Sequence, residues 1–270
     1  MRIALLFIAA CGRIAFDPLD DAPAARCDPF APFETITLVD SLNTPFLDGG
    51  VRLTSDELVA YWHSERGGLY EGWTAQRATR DQPFGMATKF VASTFMLWPT
   101  LTEDELTMVY TNNADLLLTT RATLTDVFPN GTGIAAVTTA VIESSPFLGP
   151  LGATLYFNRS PGVLLAAPWP VTGPGQTIAE LDTTAAEVAP VLSADERVIY
   201  FSRFSVTADL DTWVAVRDNP ASQFGTAQVV PELNTGGADN PTWLSPDLCR
   251  LYFESSRSAQ FDLYLAERKP

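Results

Sequence analysis

The sequence predicts an all-β fold: a five-bladed β-propeller of four-stranded antiparallel blades. One pattern recurs five times along the 270 residues, at steps of 48, 47, 44 and 52 residues. Between the recurrences lie runs of Val, Ile, Thr, Tyr and Phe separated by Gly, Pro, Asn and Asp, which is typical of short strands and turns. The chain also begins with a strand pattern that its last repeat lacks, and this indicates a closed ring.

The recurring unit is Leu-Ser/Thr, a polar turn, an aromatic-rich strand, a loop with Ser, Arg or Gly, and an apolar third strand that usually ends near arginine. A short β-branched strand completes it, and a period near 50 residues suits a four-stranded propeller blade. The Asp at its fourth position is expected to cap its own turn, as Asx turns do. The copies start at 53, 101, 148, 192 and 244; their Asp residues are Asp56, Asp104, Asp195 and Asp247, and the arginines are Arg77, Arg121, Arg217 and Arg268.

The ring is predicted to close through the N-terminus. The last unit stops after its third strand, over 261–268, and would leave an exposed edge. Residues 33–44 carry the spacing found in 224–235, where a fourth strand leads into the next unit. Pairing residues 35–40 with the last blade covers that edge. We therefore expect one domain over residues 33–270.

The repeat resembles a known family. Leu-Ser-Pro-Asp at 244–247, followed by Leu-Tyr-Phe-Glu-Ser-Ser-Arg at 251–257, looks like the TolB-like β-propeller repeat, and similar strings occur in four of the five units. The resemblance implies an envelope protein that works by protein–protein contact, often around the channel. The third unit departs from the pattern, with Leu151 in place of Asp. Five units differ from the six blades of TolB itself, so no partner-binding residue is carried over.

The N-terminus predicts export. Met1-Arg2, an apolar run over 3–10 and then Cys11 are typical of a secretory signal. The run is too short to cross a bilayer, which takes about 20 residues. Ile8-Ala9-Ala10-Cys11 resembles the lipobox of bacterial lipoproteins, which implies acylation of Cys11. We expect a signal peptide over 1–10, and a lipidated N-terminus and flexible tether over 11–32. The protein is then expected in the bacterial cell envelope, anchored to the outer membrane. The sequence does not predict whether it faces the periplasm or the cell surface. A plain hydrophobic N-terminus is the alternative.

Two cysteines remain, Cys27 and Cys249. An exported chain meets an oxidising compartment, where cysteines form disulfides. In an antiparallel blade, the turn that contains Cys249 and the entry to the N-terminal strand lie on one face. A Cys27–Cys249 disulfide would fasten the closing strand, but spacing does not fix the Cα distance. Two free thiols are the alternative.

Charge limits the partners. With 32 acidic and 17 basic residues, the formal charge is −15. This composition argues against nucleic-acid binding, which needs a basic face to neutralise phosphates. The chain has one histidine, so sites built from several histidines are excluded. We expect membrane contact only through the lipid anchor.

Acidic side chains recur at one position of the repeat. Eight residues before the turn position stand Met96 and four acids, and the acids would form a ring at one mouth of the channel. Such a ring could hold Ca²⁺, which takes several oxygen ligands, or attract a basic peptide. Pairing with arginines of nearby loops is the favoured interpretation. The acids are Asp48, Glu143, Glu187 and Asp239, and the arginines are Arg66, Arg159, Arg203 and Arg257.

The sequence favours a non-catalytic module that binds an envelope protein or peptide at the channel face, with no cofactor other than the Ca²⁺ considered above. A propeller that binds or hydrolyses glycans is the alternative, because glycosidases use two carboxylates about 5–9.5 Å apart, here from Asp48, Glu143 and Glu187. Repetition at equivalent positions favours architecture over catalysis, and no G-x-S-x-G motif is present. His63 and Glu254 occupy equivalent positions on second strands, and a polar outward face is the interpretation there.

Overall fold

A computed structural model of the chain describes residues 26–93, 95–204 and 209–270. Twenty strands form five four-stranded antiparallel sheets arranged in a ring, which confirms the five-bladed propeller. The strands are β1 (Thr35–Leu38), β2 (Asp48–Leu53), β3 (Val59–Ser64), β4 (Glu71–Gln76), β5 (Thr88–Lys89), β6 (Leu97–Leu101), β7 (Thr107–Asn112), β8 (Asp115–Thr120), β9 (Thr132–Gly133), β10 (Glu143–Leu148), β11 (Thr154–Arg159), β12 (Val163–Pro168), β13 (Gln176–Thr177), β14 (Glu187–Leu192), β15 (Val198–Phe204), β16 (Leu210–Val216), β17 (Gln228–Val229), β18 (Asp239–Leu244), β19 (Arg250–Ser255) and β20 (Asp262–Glu267).

The blades follow the chain. Blade 1 is β2–β5, blade 2 is β6–β9, blade 3 is β10–β13 and blade 4 is β14–β17; blade 5 combines β18–β20 with β1. Strands β2, β6, β10, β14 and β18 are innermost and pack against one another around the axis. We call the end at which these inner strands begin the front face, and the opposite end the back face. Because the strands alternate in direction, the loops between second and third strands lie on the front face. The Asp turns lie on the back face.

Each inner strand is distorted near its third residue. The pairing register shifts there in every blade. Four of these residues lie in the left-handed region, with φ of 59° at Gly50, 53° at Trp98, 50° at Ser145 and 54° at Ala189. Extra residues of this kind bend and twist a strand, as β-bulges do. The bulges leave backbone groups that other side chains must satisfy, and this shapes the interior of the channel.

Aromatic residues of the second strands fill the spaces between blades. Trp62, Tyr110, Phe157, Phe201 and Phe253 are all fully buried. Burial of such a side chain contributes about 2–3 kcal/mol, so these positions supply much of the stability of each blade interface. The predicted Asx turns are present: the second amide after Asp56, Asp104, Asp195 or Asp247 donates to that carboxylate.

Arginine–tyrosine contacts join neighbouring blades on the back face. The arginine that ends a third strand donates to the tyrosine hydroxyl of the preceding blade. Blade 3 lacks this contact, because Trp169 follows β12 where the other blades have arginine, and blade 2 has Val109 at the tyrosine position. The four pairs are Arg77–Tyr252, Arg121–Tyr61, Arg217–Tyr156 and Arg268–Tyr200.

The N-terminal strand closes the ring. Strand β1 pairs antiparallel with β20, from Thr35 opposite Glu267 to Leu38 opposite Tyr264. This is the predicted pairing, and it places a fourth strand on the edge that blade 5 would otherwise expose.

Residues 26–32 do not behave as the free tether expected from the sequence. The Arg268 guanidinium donates to the carbonyls of Pro29 and Ala31, and the Cys27 amide donates to the Asp247 carbonyl at 2.8 Å. A disulfide joins Cys27 to Cys249, with 5.2 Å between their Cα atoms. The segment is held because Arg268 donates to its carbonyls, its Cys27 amide donates to blade 5, and the disulfide links the two. Cys11 and the expected signal over 1–10 lie outside the described residues.

Candidate functional site

The four predicted acids stand at the front end of the channel, each as the first residue of an inner strand. All four are fully buried, and each forms an ion pair with one arginine of its own blade. The pairs are Asp48–Arg66 at 2.8 Å, Glu143–Arg159 at 2.7 Å, Glu187–Arg203 at 2.8 Å and Asp239–Arg257 at 3.1 Å. The carboxylates therefore do not form an open ring.

The pairs come in two forms that follow side-chain length. Glu143 lies directly opposite Arg159 in the β10–β11 register, and the longer carboxylate reaches the guanidinium there. Asp239 lies opposite Ser255 instead. The shorter carboxylate accepts from the Ser255 hydroxyl at 2.5 Å and from Arg257, two residues further on. Blade 1 repeats the aspartate form and blade 4 the glutamate form.

Further donors saturate these carboxylates. The threonine four residues before each acid donates both its hydroxyl and its amide: Thr44, Thr139, Thr183 and Thr235. Each arginine also stacks over an aromatic ring of its second strand. Charge-assisted bonds of this kind are strong, and they tie the entry loop to the blade. These contacts assign the acids a structural role.

Blade 2 is the exception. Buried Met96 stands where the other blades have an acid. Between β7 and β8 the loop is only Asn113–Ala114, whereas blade 1 has six residues between β3 and β4. The loops of the front face therefore extend less far at blade 2 than at blade 1. Aromatic side chains line the step between the two blades.

The aromatic side chains of Tyr70, Phe95 and Trp98 form this step, which we call the aromatic notch. All three are half-buried. Tyr70 packs edge-on against Phe95 with ring centroids 5.4 Å apart. The His63 ring lies beneath, 6.0 Å from both Tyr70 and Trp98. The amide of Met96 donates to the Tyr70 carbonyl, which fixes the strand entry against blade 1.

Exposed apolar side chains extend from the notch around the front mouth. They stand in loops that lead into inner strands or join second and third strands. Exposure of several large apolar groups around one opening is typical of a contact surface. Their exposed fractions are 52% for Phe46, 52% for Leu69, 46% for Val141, 46% for Ile142 and 40% for Phe204. We call these five residues the apolar rim.

Polar side chains of the second strands point inward, which corrects the outward face expected for His63. His63, Thr111, Asn158, Ser202 and Glu254 are all buried. Both faces of a blade are covered by its neighbours, so a polar residue in an alternating strand meets the next blade rather than water. Two of these residues accept hydrogen bonds from backbone amides at the bulges. The Gly50 amide donates to Glu254 at 2.8 Å, and the Trp98 amide donates to His63 Nδ1 at 3.3 Å.

Burial changes the titration of this interior. Desolvation raises the pKa of Glu254 to about 7, although bonds from Asn240 and Gly50 act against it. Desolvation, with the charge of Arg52, lowers the pKa of His63 to about 3. Arg52 crosses to blade 3, where its guanidinium donates to the Pro146 carbonyl and its Cζ lies 5.0 Å from the Phe147 ring centroid. Its Nε has no hydrogen-bond partner among the residues that the structure describes.

No metal centre is evident. Among the described residues, no group of three or more His, Cys, Asp or Glu side chains is arranged to hold a metal ion. Ca²⁺ at the four acids stays a prediction, and the arginines already occupy the oxygens that such an ion would use. Within the same part of the chain, no helix is long and apolar enough to span a membrane.

The charges that remain on the front face are acidic. The four arginines of this face are all held by carboxylates of their own blades. Burial, Asp239 and Asp209 raise the pKa of Asp211, as expected where carboxylates are close together. Burial raises the pKa of Tyr70, and Glu65, which follows β3, adds to this shift through a hydrogen bond and its charge. Acidic side chains, Asp211 and Glu65 among them, thus stand on the same face as the apolar rim.

Comparison with known proteins supports the fold and the TolB-like resemblance. No family model matches the chain, and no curated protein matches it. Solved structures match at low identity. TolB from Acinetobacter baumannii gives a TM-score of 0.53 at 13% identity over 85% of this chain, which spans 56% of that protein. A putative TolB from Agrobacterium tumefaciens gives 0.52 at 15%, over 82% of this chain and 76% of that one.

Enzymes share the architecture as well. An α-L-arabinofuranosidase from Podospora anserina, in complex with cellotriose, gives a TM-score of 0.56 at 10% identity, over 83% of this chain and 91% of that one. At such identities the likeness concerns the fold alone. Function has to be argued from this chain's own residues.

Proposed function

We propose that this protein is a non-catalytic binding module of the bacterial cell envelope, anchored through a lipid on Cys11, that binds a protein or peptide at its front face. The observation that carries the proposal is the apolar rim around the channel mouth. Phe46 and Ile142 leave about half of their surface in water although they adjoin strands that are fully packed. Burial of such side chains against a partner is the main favourable term in protein association.

The chemistry of the front mouth supports binding over hydrolysis. A glycosidase needs one free carboxylate and one protonated carboxyl beside the sugar bond. Glu143 and Glu187 are instead buried, and each accepts from an arginine and a threonine. The likeness to an arabinofuranosidase keeps the glycan alternative testable. Binding on a glycan array that is lost in Glu143→Gln, with the fold retained, would favour that alternative.

The position of the first described residue supports an anchored module. Arg26 pairs with Asp195 on the back face, opposite the apolar rim, and a lipid on Cys11 would precede it in the chain. The front face would then point away from the membrane, toward soluble or opposing partners. Labelling with palmitate that persists in Cys11→Ser would contradict the anchor.

Crosslinking in envelope extracts tests the binding proposal. The wild-type protein and the double variant Phe46→Ser/Ile142→Ser would be photo-crosslinked and the captured proteins compared by mass spectrometry. We expect one partner set with the wild type and its loss with the variant. Met86→Ser is the matched control, because Met86 is 88% exposed on the back face. A partner set that survives the front-face variant but not the control would overturn the assignment of the surface.

A further inference from the structure

Blade 2 breaks the pattern of the front face in three ways at once. An acid–arginine pair is absent, because Met96 replaces the acid. The second-to-third-strand loop is reduced to two residues, Asn113–Ala114. The bulge residue is Trp98, where blades 1, 3 and 4 have Gly50, Ser145 and Ala189. All three departures lie beside the aromatic notch.

We propose that the aromatic notch binds a cationic side chain, lysine or arginine, presented by the protein partner. The inference rests on the proposed function and adds the chemistry of the anchor residue. Tyr70, Phe95 and Trp98 offer aromatic faces and edges at one half-buried step. Cations bind over such faces because the ring quadrupole is negative there, and tryptophan binds them best.

The backbone at Trp98 supports a role beyond packing. Its φ of 53° lies in the left-handed region, which a bulky side chain adopts at a cost in free energy. Small residues occupy the same position in blades 1, 3 and 4, so the propeller does not require an indole there. Residues held in strained conformations concentrate at functional sites. The shared bulge sets this φ, as it does at Gly50, Ser145 and Ala189, so what blade 2 adds is an indole at the front step that the fold itself does not require.

The electrostatics favour a cation over other ligands. Glu65 interacts with the Tyr70 hydroxyl at the edge of the notch, by hydrogen bond and by charge. The four arginines paired with the buried acids are held by carboxylates of their own blades, and the charge of Arg52 acts on the buried Glu254, so Glu65 is the acid at the edge of the notch. An anionic sugar or a phosphate would be repelled. A lysine or arginine would gain both ring contact and charge complementarity.

Short peptides test the inference directly. Ac-Leu-Lys-Leu-amide and Ac-Leu-Arg-Leu-amide would be titrated into the full-length protein by calorimetry and by tryptophan fluorescence. Norleucine in place of lysine keeps the length and removes the charge, and glutamate reverses it. We expect the lysine peptide to bind about fivefold or more tightly than the norleucine peptide, as a cation–π contact implies. The advantage should shrink as salt is raised.

Two variants probe the site itself. Trp98→Gly removes the indole and adopts the residue that blade 1 uses at the same bulge, so the fold should persist with an unchanged or higher melting temperature. It should abolish the lysine-over-norleucine preference. Glu65→Gln should reduce that preference about threefold and weaken its salt dependence. Phe204→Ala, on the same face in blade 4, is the control and should keep the preference.

The outcomes separate this inference from the proposed function. If partners crosslink to the front face but Trp98→Gly keeps the lysine preference, the notch assignment is wrong and the binding module stands. If neutral glucose or xylose oligomers bind at Trp98 and the lysine peptide does not, the notch is a sugar platform. If no partner crosslinks, but the lysine preference depends on Trp98, the cation site stands and the wider binding proposal fails.

Discussion

Glu143 and Arg159 face each other across β10 and β11, with 2.7 Å between Oε1 and Nε and the carboxylate fully buried. The same relationship holds for Glu187 and Arg203 one blade later. In both blades the arginine also donates to a backbone carbonyl of the loop that leads into the inner strand, Val137 in the first case. The pair therefore fastens the entry loop, the inner strand and the second strand of one blade to one another.

Glu143→Gln is expected to destabilise the propeller by about 2–3 kcal/mol, because an arginine loses its charged partner in a mostly buried site. Arg159 is partly exposed, so water compensates for some of the loss. Urea unfolding at pH 7 would measure the effect. Asp182→Asn on the exposed loop of blade 4 is the control and should lie within about 0.5 kcal/mol of the wild type.

The double variant Glu143→Met/Arg159→Asn imports the pair of residues that blade 2 has at these positions, Met96 and Asn112. It should be more stable than Glu143→Gln, because no unpaired charge remains. A double variant less stable than the single one would show that the loop contacts of Arg159, rather than its charge pairing, dominate.

The blades and their closure could be predicted because their signals are local and repeated. The turn position recurs at steps of 44 to 52 residues, and the N-terminal stretch repeats the spacing that precedes Asp247. Aligning the units therefore predicts the closed ring. The position of the acids could also be counted from these turns. Their burial could not, because it depends on a loop threonine and a guanidinium that only the folded blade brings together.

His63 and Glu254 were misplaced for a different reason. Alternation of polar and apolar residues marks a water-facing side only when one face of a sheet is exposed. In a propeller the next blade covers that face. The signal that could have located His63 is its partner: Gly49 stands opposite it in the register, and a Cβ there would lie 2.8 Å from His63 Nε2 and 2.3 Å from Glu254 Oε2. Two consecutive glycines, Gly49 and Gly50, opposite a large polar side chain indicate that this side chain is buried.

The aromatic notch could not be predicted from the repeat because it arises from departures. Met96 is visible in the sequence only as the missing acid of its unit, and the step beside Tyr70 is open because the loop at Asn113–Ala114 is short. The notch also needs Tyr70 of the neighbouring blade, and no contiguous sequence motif links that residue to Phe95 and Trp98.

Glu254 is expected to make stability fall as pH rises toward neutrality. Its pKa is about 7 in the folded protein against an ordinary value of 4.5, so the folded state holds the proton more tightly. The resulting stabilisation is fully present below pH 4.5 and is lost as pH rises through about 7. Glu254→Gln should remove this dependence and gain on the order of 2 kcal/mol relative to the wild type between pH 5 and 8.

Urea midpoints at pH 5 and pH 8 would measure this difference, with Glu34→Gln as the exposed control. Arg52 and His63 face the same interior, so both should be retained in the variant. Equal pH dependence in wild type and Glu254→Gln would contradict the assignment.

His63 is expected to act in the opposite direction. Its pKa of about 3 lies below the ordinary 6.5, so the folded state favours the neutral ring. That stabilisation is present above pH 6.5 and is lost as pH falls toward 3. His63→Asn introduces the residue that blade 3 has at this position, Asn158, and keeps an acceptor for the Trp98 amide.

The variant should lose less stability than the wild type between pH 6.5 and pH 4. Thermal unfolding followed by circular dichroism at several pH values would compare the two slopes. Because Glu254 acts in the same range, the Glu254→Gln background provides the cleaner comparison. Parallel slopes there would mean that the imidazole does not remain neutral in the fold.

The Cys27–Cys249 link closes a loop of 222 residues between the N-terminal segment and the last blade. Both cysteines are buried and stand beside Arg268, which holds the same segment through Pro29 and Ala31. Cys27→Ser/Cys249→Ser should therefore lower the free energy of unfolding by about 2–4 kcal/mol, chiefly by freeing the unfolded chain. Alkylation of the denatured, unreduced mature protein should find neither cysteine reactive; two reactive thiols would contradict the link, and equal stability of the variant would assign the closure to β1 and Arg268 alone.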